Sequence, residues 1–186
     1  MATMHFLSGE NPYPIGNSHF VHVPYNSYKT LDGHIIVAVI TDNFWQNLKT
    51  VVNIPEFEDE IFDGQPGRFA AKEMIDGKLN ELFSTNTNAH WIGLLEQARI
   101  PCAPVNKFSD ALNDTQVRHR NMVVDLYHPN GKKTQGPGNP IKMSRTNEES
   151  YSAAPLIGQH TDQVLSEILN MSAEQIEQLK NKGIVA

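Results

Sequence analysis

The sequence contains one cysteine, no long apolar run and no cluster of basic residues. Because Cys102 has no partner, no intrachain disulfide can form, which is typical of a protein from a reducing cytoplasm. The longest apolar stretch, residues 35–40, is far too short to span a bilayer. The chain has 15 lysine and arginine residues against 21 acidic ones, a net charge of −6. We therefore expect neither nucleic acid nor a membrane as a partner.

The first residues also lack the basic and apolar segments of a secretory signal peptide, which again predicts a cytoplasmic protein. Residues 8–19 are rich in proline, glycine, asparagine and serine and show no periodicity. We interpret residues 1–19 as a linker rather than an element of secondary structure. We expect this linker to follow a further domain that the sequence does not contain.

Residues 20–52 predict a strand, a tight turn, a buried strand and a helix. Asp32 and Gly33 form the turn signal, since glycine accepts the positive φ that closes a hairpin. Residues 35–40 are apolar at every position, which indicates a central strand that is covered on both faces. Asp42 is the predicted N-cap of the helix that follows.

Helices and short strands are predicted after this central strand. The periodicity favours helices over about residues 67–83 and 89–99. Two prolines in residues 100–105 predict either an edge strand or a fixed turn, because proline has no N–H to donate to a ladder. A further strand at residues 122–127 is followed by a hairpin turn signal at Asn130-Gly131.

The overall prediction is an α+β fold with a small antiparallel sheet flanked by helices, followed by a linker and a C-terminal helical tail. Tail residues 172–175 match a capping box. Four residues of the tail are expected to face inward, namely Val164, Leu165, Ile168 and Leu169. The predicted segments are a linker (1–19), an α+β small domain (20–120), a strand pair with a linker (121–150) and the helical tail (151–186).

The residues alone predict no catalytic group and no metal site. Cys102 lies between two prolines without a neighbouring histidine in the sequence, so a structural thiol is favoured over a nucleophile. The histidines show no metal-binding spacing. His19 and His22, three residues apart, would fall on opposite faces of a strand.

Two glycine-containing stretches have alternative interpretations. Gly16, Asn17 and Ser18 form either an anion-binding nest, in which successive N–H groups surround the ligand, or an ordinary loop. The same alternatives apply to residues 64–68, with the sequence GQPGR.

Four stretches, in this order, resemble CoA-transferase family III, the formyl-CoA and carnitine CoA-transferase type. They are Pro24-Tyr25…Tyr28…Asp32-Gly33-His34-Ile35-Ile36-Val37-Ala38, Asn43-Phe44-Trp45…Leu48, Ile100-Pro101-Cys102-Ala103-Pro104-Val105 and Ala154-Pro155-Leu156-Ile157-Gly158-Gln159-His160-Thr161. The resemblance implies that the chain is the C-terminal half of a longer enzyme.

In that enzyme, the absent N-terminal half would bind CoA and supply an aspartate that attacks the thioester of an acyl-CoA. The acyl-aspartyl anhydride formed in this way would allow CoA to move to a carboxylic acid. The chain alone would then be inactive and would bind no cofactor, and coenzyme A would be a substrate of the full-length family.

The resemblance also implies a substrate loop. Some members carry a glycine-rich loop before the small domain that closes over the acyl-aspartyl intermediate. Gly16, Asn17, Ser18 and His19 stand at that place and are the candidate residues, although only Gly16 matches in type.

A different function stays open beside the transferase. The chain is alternatively a non-catalytic binding or dimerisation module, or part of a related acyl-CoA racemase. Racemases carry a glutamate near the start of the helix at residue 42, where Thr41 or Asp42 stands here, which favours a transferase. The expected partners are acyl-CoA and carboxylate substrates, with a second copy of the chain or an N-terminal half.

Overall fold

The structure is a computed structural model that describes residues 1–146 and 150–186. It contains two compact units, Met1–Val105 and Asn106–Ala186. The first unit ends before Arg120, where the sequence pattern placed the end of the small domain. The predicted linker segment 121–150 includes residues 147–149, which lie outside the described residues. No helix in the described ranges is long and apolar enough to cross a membrane.

An antiparallel sheet forms the centre of the first unit. Its strands are β1 (Tyr25–Lys29), β2 (His34–Ala38) and β3 (Cys102–Pro104), in the order β1–β2–β3. Ile36 pairs with Ser27 of β1 and with Ala103 of β3. The predictions of a central strand within residues 35–40 and of an edge strand within residues 100–105 are confirmed.

Helices cover one face of this sheet and form the core with it. The helices of the unit are α1 (Ala2–Ser8), α2 (Asp42–Val52), α3 (Gln65–Ala70), α4 (Lys72–Phe83) and α5 (Asn88–Gln97), with short 3-10 turns at Pro55–Glu58 and Glu60–Phe62. The side chains that are fully buried between sheet and helices include Tyr28, Ile35, Val37, Trp45, Leu48, Phe57, Ile75, Leu79, Phe83 and Leu95. The predicted α+β class is therefore confirmed.

The prediction that β2 is covered on both faces is wrong. Ile35, Val37 and Val39 are fully buried, whereas Ile36 is 41% exposed and Ile40 is 46% exposed. The apolar run is thus a strand whose alternate side chains point to a packed and to an uncovered face. The uncovered face forms part of the candidate site described below.

The hairpin turn between β1 and β2 uses its glycine for space rather than for an unusual φ. Gly33 does not adopt the predicted positive φ. A Cβ on Gly33 would instead lie 3.0 Å from Nδ2 of Asn88, at the start of α5. The backbone N–H of Asn88 donates to Oδ1 of Asp32 at 2.7 Å. The turn is therefore fastened to α5.

Helix starts also differ from the sequence predictions. Thr41 caps α2, since its hydroxyl accepts the N–H of Phe44 at 3.3 Å, and the predicted cap Asp42 is the first helical residue. The helix predicted over residues 67–83 is divided at Ala71 into α3 and α4. Residues 2–8, predicted as part of a linker, form α1, although none of its residues is buried.

The second unit contains short helices and a hairpin. Its elements are α6 (Phe108–Asn113), α7 (Thr115–His119), β4 (Val123–Tyr127), β5 (Lys133–Pro137), α8 (Thr161–Gln163), which continues as π-helix over Val164–Ile168, and α9 (Ala173–Asn181). The hairpin turn is confirmed, with Gly131 at a φ of 81°. The capping box of α9 is confirmed as well, because Ser172 and Gln175 exchange hydrogen bonds.

The prediction that the tail helix faces inward is wrong. Val164 is 44% exposed, Ile168 is 69% exposed and Leu169 is 61% exposed, while Leu165 is partly buried. The segment is π-helical and has a longer period than the α-helix on which the prediction depended.

Candidate functional site

The candidate substrate loop, here called the 16–19 loop (Gly16, Asn17, Ser18 and His19), lies against β1. Gly16 adopts a φ of 66°, which a side chain would strain. Nδ2 of Asn17 donates to the Ser27 hydroxyl at 2.9 Å, and the backbone N–H of His19 donates to the Tyr25 carbonyl at 3.2 Å. These two bonds hold the loop to β1 at Asn17 and at His19.

The imidazole of His19 closes the next turn of the chain. Its Nδ1 accepts the backbone N–H of Val21 at 3.0 Å and that of His22 at 3.1 Å. The His19 ring lies 4.7 Å from the His22 ring and 5.1 Å from the Tyr25 ring, between centroids. Partial burial, and secondly the neighbouring His22, lower the pKa of His19.

The histidine pair corrects the sequence prediction. His19 and His22 were expected on opposite faces of a strand, but β1 begins only at Tyr25. The turn before the strand therefore brings the two rings together. Nδ1 of His22 is buried without a hydrogen-bond partner among the described residues.

A hollow of about 560 Å³ opens on the uncovered face of the sheet. It is lined by Asn17, Tyr25, Asn26, Ser27, His34, Ile36 and Val105. Asn17 belongs to both the hollow and the 16–19 loop, so the two features form one site. Amide and hydroxyl groups beside apolar surface can hold an uncharged ligand group and direct it by hydrogen bonds.

The start of α2 is fixed by a buried arginine. Arg68 is fully buried, and its Nη2 donates to Oδ1 of Asp42 at 2.6 Å and to Gln65 at 2.9 Å. Nη1 donates to the carbonyls of Phe62 and Asp63 at 2.7 and 2.8 Å. Nε donates to the carbonyl of Val23 at 3.0 Å. The guanidinium thereby joins the segment before β1, α2, α3 and the preceding turn.

This arrangement favours the structural interpretation of residues 64–68 over an anion-binding nest. The N–H groups of Arg68 donate to acceptors within the protein. A Cβ on Gly67 would lie 1.8 Å from the carbonyl oxygen of Ile61. Gly67 therefore permits a close backbone contact. The sequence signal was a single arginine after Pro66 and Gly67, which is insufficient to predict burial.

Cys102 has the environment of a structural thiol. It is partly buried in β3, and burial, with a smaller contribution from the charge of Glu96, raises the pKa of the thiol. A raised pKa lowers the fraction of nucleophilic thiolate at neutral pH. In residues 1–146 and 150–186, no group of histidine, cysteine and carboxylate side chains has the geometry of a metal site.

Comparison with known proteins gives the family. The sequence model of CoA-transferase family III matches residues 1–161. The chain belongs to CoA-transferase family III. The motif at residues 154–161 lies in the second unit, where the Leu156 N–H donates to the side chain of Gln159 at 2.9 Å.

CoA-transferases are among its relatives. The mouse succinyl-CoA:glutarate CoA-transferase is 28% identical over 171 residues, which are 91% of this chain and 39% of the mouse protein. The succinyl-CoA:mesaconate CoA-transferase of Haloarcula hispanica is 31% identical, over 86% of this chain and 40% of that enzyme. The chain therefore spans about two fifths of the length of these relatives.

Solved structures agree with this assignment. A CAIB/BAIF family protein from Brucella suis superposes with a TM-score of 0.75 at 27% identity, covering 90% of this chain and 43% of that one. A protein from Mycobacterium tuberculosis superposes with a TM-score of 0.65 at 16% identity, covering 76% and 40%, which shows the fold alone.

Proposed function

We propose that this family III chain is the C-terminal part of an acyl-CoA:carboxylate CoA-transferase. The observation that carries the proposal is the family match over residues 1–161, together with relatives that transfer CoA. Because the chain spans only about two fifths of those enzymes, a large part of their structure has no counterpart here. We place the nucleophilic aspartate in that N-terminal part, so that the chain alone is inactive.

In the full enzyme, residues 1–19 would connect the two parts and residues 20–120 would form the small domain. The strand pair and linker of residues 121–150 would lead to the tail, residues 151–186, which would pack on the N-terminal domain. The exposure of Ile168 and Leu169 supports this role, since an apolar stripe of this kind is typical of a surface that has a partner. The assembled enzyme would be a homodimer.

We assign the 16–19 loop and the hollow beside it to the acyl part of the substrate. The loop would lie over the acyl-aspartyl intermediate and limit its hydrolysis by water. Among the residues that the structure describes, no lysine or arginine lines the hollow, so this surface suits an acyl chain better than the phosphates of CoA. The phosphates would then be bound by the N-terminal part.

The start of α2 favours a transferase over a racemase. A racemase needs a carboxylate near this position that can exchange protons with the substrate. Here Oδ1 of Asp42 accepts a hydrogen bond from the buried Arg68, which holds the carboxylate in an ion pair. Thr41, the alternative residue at this place, uses its hydroxyl as the cap of α2.

The test is a hybrid enzyme. Residues 1–186 would replace the matching segment of the Haloarcula hispanica enzyme, and transfer of CoA from succinyl-CoA to mesaconate would be measured. We expect no transfer by the chain alone and transfer by the hybrid. The matched control is the same hybrid with its nucleophilic aspartate replaced by asparagine, which should be inactive.

Two results would contradict the proposal. Transfer by the purified chain alone would place a nucleophile within these residues. A hybrid that is folded and dimeric by light scattering but inactive would favour the binding or dimerisation module.

A further inference from the structure

We propose that His19 is a positioning residue: its unprotonated Nδ1 closes the turn of residues 19–22 at the end of the 16–19 loop, and this turn opens when the imidazole is protonated. The conformational part of this inference concerns the chain by itself. Its consequence for catalysis rests on the proposed function, because it requires the 16–19 loop to touch substrate.

The hydrogen bonds determine the protonation state of the ring. Both neighbours of Nδ1 are backbone N–H groups, those of Val21 and His22, and both are donors. Nδ1 must therefore be an acceptor, which requires a neutral ring with its proton on Nε2. A proton on Nδ1 would place three donors together and break both bonds.

The surroundings of the ring oppose a positive charge. The titratable side chains that face His19 in the described part of the chain are His22 and Tyr25, on either side of the turn. Neither is a carboxylate that could stabilise an imidazolium at His19, and positive charges on both imidazoles would repel each other. The lowered pKa of His19 agrees with this geometry.

The direction of the pH effect follows from that shift. When the turn of residues 19–22 is open, His19 would titrate near its ordinary pKa of about 6.5. The closed turn of residues 19–22 binds fewer protons than the open turn at this pH. The closed turn is therefore fully stabilised above about pH 6.5 and is progressively lost as the pH falls below about 6.5.

Nuclear magnetic resonance on the intact chain tests the inference directly. Long-range proton–nitrogen spectra of the imidazole should show the Nε2–H tautomer of His19 at neutral pH. Between about pH 7.5 and about pH 5, the exchange protection of the Val21 and His22 amides should fall roughly tenfold, as expected for the loss of hydrogen bonds of ordinary strength. Protection is corrected for the intrinsic exchange rate.

Two variants distinguish the effect of His19 protonation from other causes of pH-dependent amide exchange. In His19→Asn, the amide oxygen can accept the same N–H groups without titrating, so protection should stay constant with pH. In the matched control His34→Asn, an exposed strand histidine is removed and the wild-type pH dependence should remain. The Val37 amide in β2 serves as a reference for general unfolding and should not change.

An Nδ1–H tautomer, or pH-independent protection in the wild type, would overturn the inference. A pH dependence in His19→Asn equal to that of the wild type would also overturn it. These spectra do not depend on CoA transfer, so they can contradict the role of His19 while the proposed function stands. If the role of His19 is confirmed, the active hybrid should lose CoA transfer below about pH 6.5. The His19→Asn substitution in the hybrid should reduce that loss.

Discussion

Replacement of Arg68 tests how the first unit is held together. We expect Arg68→Met to lower the free energy of unfolding by about 3–5 kcal/mol, the usual cost of removing one member of a buried charged cluster. The carboxylate of Asp42 contributes little to this loss, because its side chain is 66% exposed and can be hydrated again. The larger part comes from the carbonyls of Val23, Phe62 and Asp63, which lose a charged donor.

The matched variant is Asp42→Asn, which removes the charge pair and leaves the carbonyl contacts of Arg68 in place. We expect a cost of about 0–1 kcal/mol, as for an exposed ion pair. Urea denaturation followed by tryptophan fluorescence is the assay, since the Arg68 guanidinium lies 5.4 Å from the ring of Trp45. Equal losses of unfolding free energy in the two variants would contradict the dominant role of the carbonyl contacts. A loss below about 1 kcal/mol for Arg68→Met would contradict it as well.

Three further predictions concern the same unit. Ile35→Asp should prevent folding, since a buried unpaired carboxylate costs several kcal/mol, whereas Ile36→Asp should leave a cooperative thermal transition because its site is 41% exposed. Gly77→Ala should stabilise α4 by about 1 kcal/mol in denaturant, and Gly67→Ala should destabilise because its Cβ meets the Ile61 carbonyl. Burial, and secondly Asp76, raise the pKa of Tyr28. The free energy of unfolding should therefore fall as the pH rises above about 10. In thermal unfolding at alkaline pH, Tyr28→Phe should weaken that fall.

The outcome for Ile36 would be the most informative of these. A loss of all folded protein in Ile36→Asp would mean that the outer face of β2 is covered in solution. A melting curve close to that of the wild type would agree with the uncovered face. For Tyr28→Phe, an alkaline transition as steep as in the wild type would assign the pH dependence to another group.

The sequence was sufficient for the elements that depend on local pattern. The central strand, the proline-containing edge strand, the hairpin turn at Gly131 and the capping box of α9 follow from periodicity and turn chemistry. The resemblance in four motifs was sufficient for the family. These features depend on neighbouring residues, or on spacing that can be recognised along the chain.

Features that depend on distant contacts were not predictable. Burial of Arg68 needs acceptors from segments up to 45 residues away. The side of the sheet that stays uncovered is a property of how the helices pack, and the apolar run at residues 35–40 contains no signal for it. The pairing of His19 with His22 required knowing that β1 starts at Tyr25, and strand ends are poorly determined by propensity.

The two borders of the first sheet differ in chemistry but act in the same way. On β3, Pro104 has no N–H to offer to an additional strand. On β1, the Lys29 N–H donates to Asn80 at 3.2 Å and the Tyr25 carbonyl accepts from His19. A foreign strand would therefore find few free partners along either border, so that growth of the sheet into aggregates is opposed. The apolar outer face can stay open for a specific ligand or partner without making the chain prone to polymerise.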